Sequence, residues 1–252
     1  MIVVFWIAVC TILALIAIFV AAIVRMKRTP RWGVVPTSNL NHDVCNLVAN
    51  DHSMKVHLYS SRDFSYPNQL PGLIVLPGST STYPEYEHWC AHFALQGFPT
   101  ACMEKPQDSF SSEQLAHFIK LLQQDLDILA DDTGKNLILV AFGNAVVPAI
   151  HVTAKEETIL LTCGFGGMDV KEDIAEDVVG RIILAHCADD NIAPVDFFKK
   201  NCDILKLEDD DQLLLELGGH GGLSQEAVIA GFFSIRIHQK LDLEYQQMSK
   251  RS

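Results

Sequence analysis

Apolar residues open the chain in one unbroken run and then fall into two alternating rhythms. Residues 2–24 are interrupted only by the mildly polar Thr11. At about 1.5 Å per residue, a helix of that length spans roughly 34 Å, enough for a hydrocarbon core of about 30 Å. Basic residues follow the run instead of preceding it, and the run exceeds the roughly 7–15 residues of a signal-peptide core. The segment therefore reads as an uncleaved single-pass anchor. Residues 1–30 are assigned to the anchor and its basic flank, 31–53, with little periodicity, to a linker, and 54–252 to one domain.

Within that domain, Val56 and Leu58 alternate with polar neighbours, which predicts a strand over 54–60. Short apolar runs at 72–76, 99–103, 136–141, 158–162, 181–185 and 213–217 predict six more. Helical stretches lie between them. One runs over 85–96 with Gly97 as its stop signal. Another follows Ser111, which with Gln114 makes a capping box, and carries Leu115, Phe118, Ile119, Leu122, Leu126 and Leu129 as one stripe. The last covers 224–241, with Ile229, Phe232, Phe233 and Ile237 on its inner face. Strands recurring between helices imply an α/β fold with a mostly parallel sheet covered on both faces. No G-x-G-x-x-G follows the first strand and no G-x-x-x-x-G-K-S/T occurs, which excludes the common nucleotide-binding versions of that alternation.

Charge narrows the partners. The formal net charge is −12, yet Arg25, Lys27, Arg28 and Arg31 cluster beside the apolar run. The acidic body repels nucleic acid, whereas the cluster suits anionic lipid headgroups, so a bilayer is an expected partner and nucleic acid is not. By the positive-inside rule the domain faces the cytoplasm. Seven cysteines without a C-x-x-C pair and the absence of any N-x-S/T sequon agree with that side. The acidic run Glu208, Asp209, Asp210 and Asp211 reads as a solvated loop, and no metal or other cofactor is expected.

The chemistry lies in three loops that each follow a strand. Leu137-Ile138-Leu139-Val140 runs into Ala141-Phe142-Gly143-Asn144-Ala145, a small-x-nucleophile-x-small elbow in which Gly143 stands where a nucleophile would. Ile183-Leu184-Ala185-His186-Cys187-Ala188-Asp189-Asp190 reads as a strand feeding an acidic loop, with Asp190 the better candidate acid. Gly218-Gly219-His220-Gly221-Gly222 sets one histidine in a glycine-rich loop after the last strand. The order nucleophile position, acid, histidine is that of an α/β-hydrolase.

With these pieces in place, the sequence resembles the single-pass, membrane-anchored α/β-hydrolase-domain lipases and their bacterial esterase relatives, over residues 73–233. The matching stretches are Leu76-Pro77-Gly78 with its Ser/Thr loop, Ala94-Leu95-Gln96-Gly97, Val140-Ala141-Phe142, Ala188-Asp189-Asp190 and Gly218-Gly219-His220. The resemblance implies cleavage of acyl esters of glycerolipids and related lipids, and an oxyanion hole that includes the first stretch. The oxyanion donors are expected to be the backbone amides of Ser79 and Asn144. Two departures stand out: Gly143 replaces the serine, and only about 18 residues separate Thr162 from Arg181, where the resemblance implies a long lid. The lid is expected to be short or absent. Family members enter the membrane by a signal-anchor mechanism that can leave the domain lumenal, so the side stays open.

Two functions compete. One is a membrane-tethered pseudoenzyme that binds a lipid, an ester or a protein, since loss of a triad nucleophile costs on the order of 10^6 in kcat. The other is an active ester hydrolase with a displaced nucleophile, for which Cys163, Ser79 and Ser81 are the candidates. A metal hydrolase on His88 and His92, with Cys90 between them, lacks the glutamate of H-E-x-x-H.

Overall fold

The computed structural model describes residues 37–49, 52–62, 70–78, 83–104, 111–125, 136–167, 169–170, 174–222 and 225–249. The expected anchor over 2–24, Ser79 and Ser81 lie outside the described residues. Among the described residues, no helix is long and apolar enough to cross a membrane.

Eight strands form one sheet: β1 (Leu40–Ala49), β2 (His52–Ser61), β3 (Gly72–Leu76), β4 (Thr100–Met103), β5 (Leu137–Phe142), β6 (Ile159–Phe165), β7 (Ile182–Cys187) and β8 (Gln212–Leu215). Their order is β1-β2-β4-β3-β5-β6-β7-β8. β1 and β2 pair antiparallel, as do β2 and β4, and every pairing from β4 through β3 to β8 is parallel. All residues of β3, β5 and β7 are buried. That burial explains their near-continuous apolar sequences, because a parallel strand covered on both faces has no wet side.

The helices are α1 (Glu87–Leu95), α2 (Ser112–Asp125), α3 (Val146–Lys155), α4 (Val195–Ile204) and α5 (Glu226–Ser249). Two hydrophobic clusters divide the strand residues by parity. Ile74, Leu139, Ile182 and Leu184 pack with Leu115, Ile119, Ile150 and Phe198 of α2, α3 and α4. Leu73, Ile138, Val140 and Ile183 pack with Phe93 of α1 and Ile229 and Phe233 of α5. The capping box forms as its spacing predicts: Ser111 N–H donates to Gln114 Oε1 at 3.0 Å, and Gln114 N–H to Ser111 Oγ at 3.2 Å.

Three details differ from the sequence reading. The stretch read as a linker contains β1, paired over its full length with β2. It occupies a sheet edge where Leu40 and Leu47 are buried while Asn41, His42, Asp43, Val44 and Asn46 are exposed, so no sustained alternation marks it. β6 runs three residues past the expected Thr162, which puts Cys163 inside a strand. In the acidic run, Asp211 is buried instead of solvated. Its carboxylate accepts from Arg236 Nη2 and Lys240 Nζ, both at 2.7 Å, and ties the turn before β8 to α5.

Candidate active site

β5 delivers the elbow. Phe142 is extended, Gly143 turns with φ +53°, and the chain enters α3 through a single short turn of Gly143–Ala145. An L-residue pays roughly 1–2 kcal/mol for that left-handed conformation. Glycine relieves it and removes any side chain. A Cβ built on Gly143 would lie 3.7 Å from Gly78 Cα and 3.8 Å from His220 Nε2, the two contacts within 4 Å among the described residues beyond its chain neighbours. The turn therefore faces both the exit of β3 and the imidazole. Asn144, the other expected oxyanion contributor, is next in the turn and half-buried. Beside it, Gly78 N–H donates to Tyr86 Oη at 3.1 Å, a contact that no sequence motif signals.

The loop after β7 presents the acid. The Asp190 side chain is fully buried. Its Oδ1 accepts from the backbone amides of Ile192 (2.8 Å) and Ala193 (2.9 Å), and its Oδ2 meets His220 Nδ1 at 2.9 Å. Asp189 takes a different part: its Oδ1 accepts from Gly219 N–H at 2.7 Å. Bonds from the Gly219 and then the Gly218 amide hold the Asp189 carboxyl below the usual carboxylate range. Adjacent acids thus grip the histidine loop by its backbone and by its ring.

With Asp190 an acceptor on one side, the neutral His220 ring carries its proton on Nδ1 and turns the lone pair of Nε2 toward Gly143. Asp190, His220 and Gly143 come together at the carboxyl ends of β5, β7 and β8, where open α/β sheets gather their sites. β6 also reaches this edge. A Cβ on Gly166, which has φ +67°, would stand 3.4 Å from the His220 carbonyl oxygen and 3.9 Å from Asp190 Oδ2. Beneath the acid loop, His186 is buried and stacks on Phe198 at 5.5 Å. Burial lowers its pKa, while Asp190 and the Ala193 backbone oppose the shift. Sequence reasoning passed over His186 because an isolated histidine in an apolar strand carries no motif.

The alternative nucleophile Cys163 is buried within β6, and burial, with Asp211 second, pushes its thiol well above the ordinary cysteine range. A thiol so placed is not poised as a thiolate. His88 lies 3.3 Å from Glu226 Oε2, and His92 meets Ser234 Oγ at 3.0 Å and Gln96 Nε2 at 2.8 Å. Those partners tie α1 to α5 and leave the two histidines on separate contacts. The connection between β6 and β7 spans residues 166–181.

The fold with this strand order and elbow is that of the α/β-hydrolases, and solved structures agree. Est1E from Butyrivibrio proteoclasticus aligns at 10% identity with a TM-score of 0.60, covering 77% of this chain and 99% of that one. A dienelactone hydrolase from Anabaena variabilis aligns at 14% identity and TM-score 0.58, covering 80% and 96%. A membrane phospholipase A, described as a bacterial virulence factor, aligns at 10% identity and TM-score 0.63, covering 94% and 98%. No protein-family model matches the chain, and no curated protein does. At such identities the likeness establishes the fold, and chemistry has to be argued from the site.

Proposed function

We propose that this chain is a membrane-tethered α/β-hydrolase-fold pseudoenzyme that binds a lipid or ester without serine hydrolysis. The observation that carries the reading is Gly143 at the elbow, which faces His220 Nε2 and brings no side-chain hydroxyl to it. Covalent catalysis requires a nucleophile that the histidine can deprotonate, and here Asp190 holds the base while the elbow residue has no side chain to offer it. Tethering rests on the 2–24 apolar run and its basic flank, and the cytoplasmic side on the positive-inside rule.

A fluorophosphonate probe on the purified full-length protein tests the reading. We expect no stoichiometric adduct, and an adduct overturns it. Mapping such an adduct to Ser79 or Ser81 would support a displaced serine, and a cysteine-directed probe tests Cys163. Carbonate extraction tests the tether: the intact chain should stay in the membrane pellet, and a shortened soluble chain would refute an uncleaved anchor. Protease protection of sealed vesicles reads the side.

A further inference from the structure

We infer that the contact between His42 and His57 is an acid-sensitive latch on the edge strand β1, holding it to β2 while one proton lies between the two rings and releasing it once both rings are cations. The inference is independent of the reading of Gly143.

The place of that proton follows from a one-way chain of hydrogen bonds. Glu104 Oε1 accepts from His57 Nε2 at 2.8 Å and from Lys55 Nζ at 2.9 Å. These bonds, that from His57 first, hold the Glu104 carboxyl below the usual carboxylate range, so it stays an acceptor in mild acid. His57 keeps its proton on Nε2 and, when neutral, offers Nδ1 as a lone pair. His42 Nε2 lies 3.1 Å from that lone pair and donates to it. The ring centres are 5.4 Å apart, well beyond the nitrogens, so the imidazoles meet by their edges. One proton satisfies the contact. Two would set N–H against N–H and cation against cation.

The rings are not free to turn aside. His57 is 5% exposed and stacks on Tyr83 at 3.3 Å between centroids, and His42 stacks at 4.4 Å on Tyr59, its partner across the strand pair. The two phenols are hydrogen-bonded to each other, and Tyr83 Oη reaches His42 Nε2 at 3.4 Å. Repulsion between the rings is therefore relieved by moving the strand. β1 lies at the sheet edge, pairs with β2 alone and, among its described side chains, buries only Leu40 and Leu47, so it opens more cheaply than a strand bonded on both sides.

The other charged groups acting on His42 are Glu87 of α1, Asp43 of β1 and Lys55 of β2. The thiols of Cys90 and Cys102 stand near the two phenols, and α2 packs on the opposite face of the sheet. The carboxylates favour a proton and Lys55 opposes it, yet burial, followed by His57, holds His42 below the ordinary histidine value. A released pair takes up two protons below about pH 6.5, and the latched pair at most one, so each pH unit of acidification should favour release roughly tenfold. The latch is whole above that pH and fails as pH falls.

Hydrogen exchange of the full-length protein in phospholipid nanodiscs, read as protection factors, tests the latch. From about pH 7 to about pH 5, β1 should lose at least about tenfold in protection, while β5 stays the better protected throughout. His42→Gln should abolish the loss, because glutamine donates to neutral His57 and, with its amide turned over, accepts from the protonated ring. 15N spectra of the histidines count the protons on the pair in the wild type, and the second proton should arrive as β1 loosens. Constant protection of β1, an equal loss in His42→Gln, exchange of β1 together with β5, or two cationic rings under an undisturbed β1 overturns the inference.

Discussion

Restoring the hydroxyl is the most direct perturbation of the site. In Gly143→Ser the new Cβ stands 3.7 Å from Gly78 Cα and 3.8 Å from His220 Nε2, ordinary contacts that add no steric penalty among the described residues. What remains is the backbone term. At φ +53° an L-residue costs roughly 1–2 kcal/mol, which for a domain of this size lowers Tm by about 2–8 °C. Gly143→Ala should show the same loss, since its strain is identical. Only the serine variant should gain a fluorophosphonate adduct, because only it places a hydroxyl beside a base oriented by Asp190. Adding His220→Ala to the serine variant should slow labelling by at least about 100-fold, the scale of general-base assistance. Thermal melts and intact-mass labelling read both quantities. A folded Gly143→Ser that never labels, or labelling indifferent to His220, would refute the placement of the elbow against the base.

The remaining predictions concern the frame around the site. Asp190→Ala strands two backbone amides and the histidine ring around a buried position, and should cost about 2–4 kcal/mol by urea denaturation; an unchanged midpoint would show that its bonds do not hold the loop. Burial, aided by His88, pushes His92 down to about 4, so between pH 6.5 and 4 the unfolded chain takes up a proton that the folded chain refuses. Stability should therefore fall with pH through that window by on the order of 2–3 kcal/mol more than in His92→Gln, and parallel urea midpoints for the two proteins would exclude the linkage. Among the cysteines of the described residues, Cys45 is half-buried while Cys90, Cys102, Cys163, Cys187 and Cys202 are buried. Iodoacetamide on the native protein should modify Cys45 first, and early modification of Cys163 on peptide mapping would contradict its place inside β6.

Most of the sheet was legible in the sequence because parallel strands announce themselves as short apolar runs between helices. β3, β5 and β7 were placed to within two residues for that reason. β1 was not, because an edge strand need satisfy only one face and one row of backbone partners, and its exposed Asn41, Asp43 and Asn46 read as linker. The end of β6 was missed because Cys163-Gly164-Phe165 carries a glycine, a residue that ordinarily weakens a strand. At Gly164 a Cβ would come within 2.7 Å of Val146 and 2.9 Å of Leu184 side-chain atoms, so close packing requires the glycine there. The three loops of the site were legible as motifs. Their supports were not, since the Ile192 and Ala193 amides, the Tyr86 hydroxyl and the His186 ring are matters of geometry with no pattern in sequence.

The pair at this site divides its tasks unevenly. Asp190 would be needed for its loop even if no ligand ever bound, because it closes the turn after β7 through two amides. Its Oδ2 is also paired, with the His220 ring. The loop that carries His220 is already held at Gly219 by Asp189, so fixing that backbone does not depend on the ring. Leucine in place of the ring would nevertheless strand the buried Oδ2, at about 1–3 kcal/mol. His220→Leu should therefore lower Tm by about 2–12 °C, and it should weaken lipid association as well if the site binds through Nε2. An unchanged Tm would show that the buried carboxylate does not depend on the ring, and lipid association that survives the substitution would separate binding from this site.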